Sequence, residues 1–243
     1  MLRRFAPLLL GLVVLSGPAA PGARQVTAHL SDRDAVTTSV TATTQTGSSY
    51  SFGSVVSGKV VRWNPCAAIH WRFRSTGAPA GALTQLQHAI ARIGKVTGTT
   101  WVYDGTTWAV PTTAWLPKTL DAQPPVLIGW TTRISTDLLK NQPSAVIGVT
   151  RTTWFGMTQG GTTTAAIRGA VIALDNGKKL PMTGSVSWYT VLLHELSHGM
   201  GLAHATSSKE LMYPVLEPGL KDLQPGDLTG LTKVGHAAGC INL

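Results

Sequence analysis

The chain has 243 residues, of which 43% are hydrophobic and 13% are charged. This composition excludes a wholly disordered chain and suits one globular domain with a sizeable core and terminal appendages. The formal net charge is +9, but the basic residues are scattered and no basic run exceeds the pair Lys178 and Lys179. We therefore expect a solvated basic surface and no nucleic-acid partner, with anionic polymers or acidic substrates as the open alternative.

The first residues follow the order of a secretory signal peptide. Arg3 and Arg4 precede an apolar run at 8–15, and small residues follow at 19–23. The run is too short to span a bilayer and leads into a small-residue cleavage region, so residues 1–23 predict a signal peptide and a secreted protein. A retained N-terminal anchor is the alternative. No other segment is apolar enough for a membrane span.

Residues 24–58 are rich in Thr, Ser and Gly and contain few large apolar side chains. They indicate a flexible linker or a short pro-segment, not a second domain. The pattern changes at Lys59, and we expect residues 59–243 to contain the folded domain.

The two cysteines, Cys66 and Cys240, lie near the two ends of that domain. In an exported chain they predict one disulfide, which would close a loop of most of the domain and stabilise it by roughly 4 kcal/mol in the chain-entropy model. A free thiol aimed at a metal is the alternative.

The predicted elements of residues 59–243 run from a strand to a helix, several strands, a histidine-bearing helix and a last short helix, which indicates an α+β fold. Strands are predicted at 69–73, 100–103, 126–130, 145–150 and 170–175, a helix at 79–96 that Gly98 would stop, and a short helix at 227–236.

The stretch HELSHGMGLAH, residues 194–204, contains three histidines and one acid. Ser187 is a candidate helix cap ahead of the apolar run at 188–193, so the stretch begins on a helix. Four residues of helix advance a side chain by about 400°, so His194 and His198 point the same way and can share one tetrahedral cation.

The rest of the stretch supplies a base and a third ligand. Glu195 lies beside the first histidine and, in the HExxH arrangement, serves as a base and not as a ligand. Gly201 can adopt positive φ where the helix must end, which lets the chain return with His204 as the third ligand. A pair of histidines one helical turn apart is common, whereas the full HExxHxxGxxH pattern is a specific zinc signal.

The extended motif resembles that of the metzincin zinc peptidases, and the following ELMYPV is similar to the methionine-containing turn of the matrixin branch. The resemblance is tight over residues 185–216 and looser over the rest of 59–243, and Ala205 replaces a serine usual in matrixins. It implies a metzincin-like catalytic domain in which a twisted mixed sheet with a backing helix lies above the active-site helix, and a small C-terminal subdomain lies beneath the zinc.

By the same resemblance, Met212 would form an apolar floor under the three imidazoles, and Tyr213 and Pro214 would form the wall of the substrate pocket. Residues 146–150 would be the edge strand that aligns an extended peptide, with 170–175 as the strand behind it. Leu216 replaces a tyrosine usual in matrixins. No PRCGxPD-like cysteine switch is present, and structural calcium is left open because acidic residues are sparse. His29, His70, His88 and His236 lack any ligand pattern.

The sequence therefore predicts a monomeric, secreted zinc metalloendopeptidase with one catalytic zinc ion, acting on a protein or peptide in extended conformation. Two alternatives remain. One is a zinc-containing cell-surface binding protein without activity, which would not need Glu195 as a base. The other is a peptidase that acts on peptidoglycan cross-links.

Overall fold

The computed structural model describes residues 9–14, 29–30, 43–45, 47, 49–159 and 162–241. Most of the predicted signal peptide, and much of the predicted linker, lie outside these residues. The described elements in chain order are β1 (Leu9–Val14), β2 (His29–Leu30), β3 (Thr43–Gln45), β4 (Ser51–Val56), β5 (Lys59–Val60), β6 (Ile69–Arg74), α1 (Ala82–Thr97), β7 (Trp101–Thr106), β8 (Val126–Thr131), β9 (Val146–Gln159), β10 (Thr162–Asp175), α2 (Trp188–Gly199), β11 (Leu202–Ala203) and α3 (Pro225–Val234).

The main sheet is mixed, as expected for the α+β fold, and has the strand order β1-β9-β10-β8-β6-β7, with β2 also pairing with β9. Neighbours from β10 to β7 run parallel, whereas β9 is antiparallel to both β10 and β1. The predicted edge strand at 146–150 is thus not outermost among the described strands, because β1 pairs along it in the register Val13 to Gly148 and Leu12 to Val149. The strands β9 and β10 are also far longer than predicted and form one hairpin.

One face of the sheet packs against α1 and α2, and this layer forms the main core. In β6 the side chains of Ile69, Trp71 and Phe73 are buried while His70 between them is exposed, which is the alternation expected of a strand with one covered face. The buried side of α1 repeats at helical spacing through Leu86, Ala89, Ile90 and Ile93. As predicted, α1 ends at Gly98, whose φ of 68° is left-handed and whose N–H bonds the carbonyl of Gly94.

The opposite face carries a second, smaller apolar cluster. Leu127, Val149 and Val171 from three neighbouring strands pack there with Leu138 and Leu139 from the loop between β8 and β9. Both faces of the sheet are therefore covered around β8, which explains why this strand is buried along its whole length. Among the described residues, no helix is long and apolar enough to cross a bilayer.

A small second sheet begins inside the predicted linker. Its central strand is β4, which pairs with β3, β5 and β11. Phe52 and Val56 of β4 belong to the main core and are 4% and 1% exposed. The sequence predicted no strand in this segment. Its Thr, Ser and Gly content is typical of a linker, and two core side chains alone do not change that composition.

The predicted disulfide between Cys66 and Cys240 is present, with the two Cα atoms 5.5 Å apart. Next to it, Arg62 Nη2 donates to the carbonyls of Ala238 and Gly239, each at 2.8 Å. The C-terminal segment is thus held against the start of the main sheet by one covalent bond and two charge-assisted hydrogen bonds.

The loop that leads into β9 is held by the side chain of Arg133. Arg133 donates to the carboxylate of Asp175 at 2.9 Å and to the carbonyls of Pro143 at 2.9 Å, Val146 at 3.3 Å and Gln142. The Asp175 side chain is 6% exposed. One guanidinium therefore joins the end of β10 to the start of β9.

We predict that Arg133→Met lowers the free energy of unfolding by about 2–3 kcal/mol, because the buried carboxylate of Asp175 loses its cationic partner and several carbonyls lose a donor. Urea unfolding of the purified protein measures this change. Arg92→Met is a matched control, since both arginine side chains are 26% exposed but the partner of Arg92, Asp222, is 45% exposed; its loss should stay below about 1 kcal/mol. Equal losses in the two variants would contradict the role assigned to Arg133.

A second prediction concerns the boundary of the folding unit. A chain that starts at Lys59 should be less stable than one that starts at Thr43, because it lacks β4, and the burial of Phe52 and Val56 is worth about 1.5–3 kcal/mol each. It should also retain zinc less well, because β4 pairs with β11 immediately before His204. Urea unfolding and metal analysis of both proteins test this, and two proteins of equal stability and zinc content would show that β4 is dispensable.

Candidate metal centre

The helix α2 begins as the sequence predicted, at the cap residue Ser187. The Ser187 hydroxyl accepts from the N–H of Thr190 at 3.3 Å, and the Thr190 hydroxyl accepts from the N–H of Ser187 at 3.1 Å. Apart from half-buried Tyr189, every residue of the helix is buried. An apolar, capped helix therefore carries polar histidines into the interior of the protein.

Two of these histidines are oriented by backbone carbonyls. His194 Nδ1 lies 2.8 Å from the carbonyl oxygen of Leu211, and His198 Nδ1 lies 2.9 Å from that of Leu202. A carbonyl accepts only, so each Nδ1 carries the proton and each Nε2 carries a lone pair. The two Nε2 atoms lie 2.9 Å apart.

The chain leaves α2 and returns through Gly201, as predicted. Its φ is 111°, and a Cβ there would lie 2.9 Å from the carbonyl oxygen of Val61, so both the turn and the close packing require glycine. The indole N–H of Trp63 donates to the carbonyl of Gly199 at 2.8 Å and satisfies the end of the helix. The strand β11 follows and delivers His204 to the other two rings.

The three imidazoles form one cluster. The ring centroids of His194, His198 and His204 lie 4.6 to 5.2 Å apart, and one nitrogen of each ring lies within 4.8 Å of the others. Burial lowers the pKa of His194 to about 4, which keeps that ring neutral. Lone pairs of neutral imidazoles that converge at this distance repel each other unless a cation lies between them, so the donor set fits a tetrahedral ion such as zinc. Among the described residues, this is the one group of three metal-ligating side chains.

Glu195 is fully buried beside the cluster. The hydroxyl of Thr150 donates to its Oε2 at 2.6 Å, while its Oε1 is buried and has no hydrogen-bond partner among the described residues. Burial raises the pKa of Glu195 to about 8, and the hydrogen bond from Thr150 acts in the opposite direction. A cation on the neighbouring imidazoles would favour the ionised form of this carboxyl.

The methionine-containing turn lies against the third histidine and is held by a buried carboxylate. The N–H of Ala205 donates to the carbonyl of Met212 at 2.9 Å. Asp227 accepts from the N–H of Leu211 at 2.8 Å and from that of Met212 at 3.1 Å. The carbonyl of Leu211 orients His194, and the N–H of the same residue is held by Asp227. Asp227 therefore acts on a candidate ligand through Leu211.

A second acid completes this connection. Glu210 accepts from the N–H groups of Gly226 and Asp227 at 3.0 and 3.2 Å, in the first turn of α3. A Cβ on Gly226 would lie 2.7 Å from the carboxyl carbon of Glu210, so glycine is needed there. Thus Asp227 of α3 accepts from N–H groups of the turn, and Glu210 of the turn accepts from N–H groups of α3. Burial, together with the charge of Glu210, raises the pKa of Asp227 to about 6.

The structure brings His194, His198, His204 and Glu195 together, as the spacing predicted. Met212 is fully buried in the main core, and Tyr213 and Pro214 continue the same turn in half-buried positions. Sequence reasoning missed Thr150 and Asp227. A threonine in a strand and an acid in the first turn of a helix are ordinary choices for those positions, so neither carried a signal.

We predict that Asp227→Ala weakens zinc binding by about 10- to 100-fold, the usual effect of losing a group that orients a ligand, because the Leu211 carbonyl is no longer fixed. Competition with a chromophoric chelator measures the affinity. Asp222→Ala, at a half-buried acid five residues earlier that pairs with Arg92, should bind zinc as the parent does. Parent-like affinity in folded Asp227→Ala would exclude this role.

The family model Peptidase_M10, described as matrixin, matches residues 68–234, which include the sheet from β6 onward, the histidine cluster and α3. No curated protein matches the sequence significantly. The matched region covers more than half of the chain and ends at the last residue of α3. With the three-histidine cluster and the mixed sheet, it shows that the chain belongs to the matrixin family of zinc metalloproteases.

Proposed function

We propose that the chain is a secreted zinc metalloendopeptidase in which His194, His198 and His204 hold one catalytic zinc ion and Glu195 is the general base. The observation that carries the proposal is a buried carboxylate beside three converging imidazoles, with one oxygen bonded to Thr150 and the other available. A site that only held a metal for structural reasons would have no use for a buried acid in this position.

Zinc, when bound, supplies Lewis-acid chemistry, which polarises a carbonyl and makes water more acidic. Glu195 accepts a proton from the attacking water at Oε1. As the peptide C–N bond breaks, Glu195 returns that proton to the leaving amine nitrogen. Two opposite effects act on the pKa of this carboxyl, because burial raises it and a cation on the neighbouring imidazoles would lower it.

The substrate lies in extended conformation along Val146–Thr150, with its backbone paired to β9. Support comes from β1, an extended antiparallel segment that pairs with this stretch. Since β1 falls within the proposed signal peptide, its removal with residues 1–23 leaves this edge open to a substrate. Met212 forms the floor of the site, and Tyr213 and Pro214 contribute to the pocket wall.

Export is supported by the disulfide, because such bonds persist in oxidising compartments. The exported protein acts as a monomer on protein or peptide substrates. Residues 24–42 connect the signal peptide to the catalytic unit, which begins with the strands that precede Lys59.

The proposal is tested with two variants that separate metal binding from catalysis. Glu195→Ala should keep about one zinc ion per chain and lose activity by about 10²- to 10⁴-fold, as expected for the loss of a general base. His198→Ala should lose zinc as well as activity, because two imidazoles leave an incomplete site. Metal analysis and cleavage of a quenched-peptide library on the same preparations give both quantities.

Chelation followed by zinc restoration of the parent protein is the control. A zinc-loaded parent that cleaves no member of the library but retains an anionic cell-surface polymer would favour a binding protein. Cleavage of peptidoglycan cross-links alone would favour the cell-wall alternative. Activity in Glu195→Ala equal to that of the parent would exclude the proposed mechanism.

A further inference from the structure

The carboxylate of Glu195 lies against two residues of β9 that point to the same side of the sheet. Gly148 and Thr150 pair with Leu174 and Ile172 of β10, both of which belong to the core between the sheet and the helices. Successive residues of a strand alternate between its faces, so Gly148 and Thr150 both face α2. This part of β9 is the stretch along which the proposed substrate lies.

Thr150 holds one oxygen of the carboxylate. Its hydroxyl lies 2.6 Å from Oε2 of Glu195 and 3.0 Å from the backbone carbonyl of the same residue, and both residues are 0% exposed. A hydroxyl has one proton, and the shorter contact is to the carboxyl oxygen, which makes the stronger hydrogen bond when the acid is ionised. The hydrogen bond fixes the rotation of the carboxylate about its last bond.

Gly148 provides the room for this arrangement. A Cβ at this position would lie 2.9 Å from Oε1 and 3.0 Å from Cγ of Glu195. Any other residue would displace the carboxylate or its neighbour Leu174. Oε1, which has no hydrogen-bond partner among the described residues, is therefore the oxygen that remains for water.

We propose that Thr150 is a positioning residue for the hydrolytic reaction: its hydroxyl holds Oε2 of Glu195, Gly148 leaves the space, and Oε1 is thereby directed to the proton of water. This inference rests on the proposed function. Thr150 touches neither metal nor substrate through its hydroxyl, and its effect on the reaction passes through Glu195.

A purely structural role for the Thr150 hydroxyl is the competing interpretation, and one neighbouring residue separates the two. Thr152 is two positions further on the same face of β9, is 1% exposed, and has a hydroxyl without a hydrogen-bond partner among the described residues. The change Thr152→Val therefore removes a buried hydroxyl from the same strand without touching Glu195. It is the matched control for Thr150→Val.

The experiment compares Thr150→Val, Thr150→Ser, Thr152→Val, Gly148→Ala and Glu195→Ala in the zinc-loaded exported protein. Thr150→Val should lower kcat about 10- to 100-fold, the equivalent of one hydrogen bond to a charged group, with KM within about twofold of the parent and unchanged zinc content. Thr150→Ser, which keeps the hydroxyl, should recover kcat to within about threefold. Thr152→Val should match the parent in both constants.

Gly148→Ala gives an independent measurement that does not depend on the stability of Thr150→Val. It keeps the Thr150 hydroxyl but displaces the carboxylate, so kcat should fall while zinc content stays near that of the parent, and the crowding of the core should lower the melting temperature. Parent-like kcat in Gly148→Ala, or in zinc-loaded Thr150→Val, would overturn the positioning role. So would equal losses in Thr150→Val and Thr150→Ser.

Different results would exclude the proposed function and the role of Thr150. An inactive parent, or an active Glu195→Ala, contradicts the proposed function itself. An active parent with inactive Glu195→Ala and fully active Thr150→Val leaves the proposed function standing and excludes only the role of Thr150.

Discussion

The structure depends on one electrostatic constraint, the convergence of three imidazole lone pairs on one point at the edge of the core. Neutral imidazoles in that arrangement repel one another unless a cation is bound, and burial lowers the pKa of His194, so protonation of that ring does not relieve the repulsion. The surrounding protein must therefore fix each ring in one tautomer and one orientation. For His194 and His198 it does so with backbone carbonyls, which are held by the surrounding chain and cannot change their protonation state.

Each of these carbonyls is in turn held by an element distant in sequence. Leu202 belongs to β11, which pairs with β4 at Phe52, about 150 residues earlier in the chain. Leu211 belongs to the turn that Asp227 holds from α3. The helix α2 thus supplies two histidines and the acid, whereas an N-terminal strand and a C-terminal helix supply the rigidity that makes them a site.

The sequence was sufficient for features set by local spacing. The periodicity of α1, its end at Gly98, the cap at Ser187 and the shared face of His194 and His198 all follow from residues a few positions apart. The disulfide could also be predicted, because only two cysteines were present to pair.

Features set by pairing between distant segments could not be predicted. The composition around Ser51–Val56 indicates a polar, flexible segment, and only its pairing with β11 makes it a strand. The hairpin of β9 and β10 continues through threonine-rich residues whose composition is typical of loops. Thr150 and Asp227 acquire meaning only from the partners that the fold gives them. No local rule distinguishes a strand threonine that bonds a carboxylate from Thr152, which does not.

The disulfide joins Cys66 to Cys240, which are separated by 174 positions in the sequence. All three histidines lie in the loop that this bond closes. A single break of the backbone anywhere between the two cysteines therefore opens a ring instead of releasing a fragment. Both pieces remain one covalent molecule, and the new ends stay within reach of each other. When a peptidase makes a first cut in a surface loop between the two cysteines, this covalent topology keeps the three histidines in one molecule.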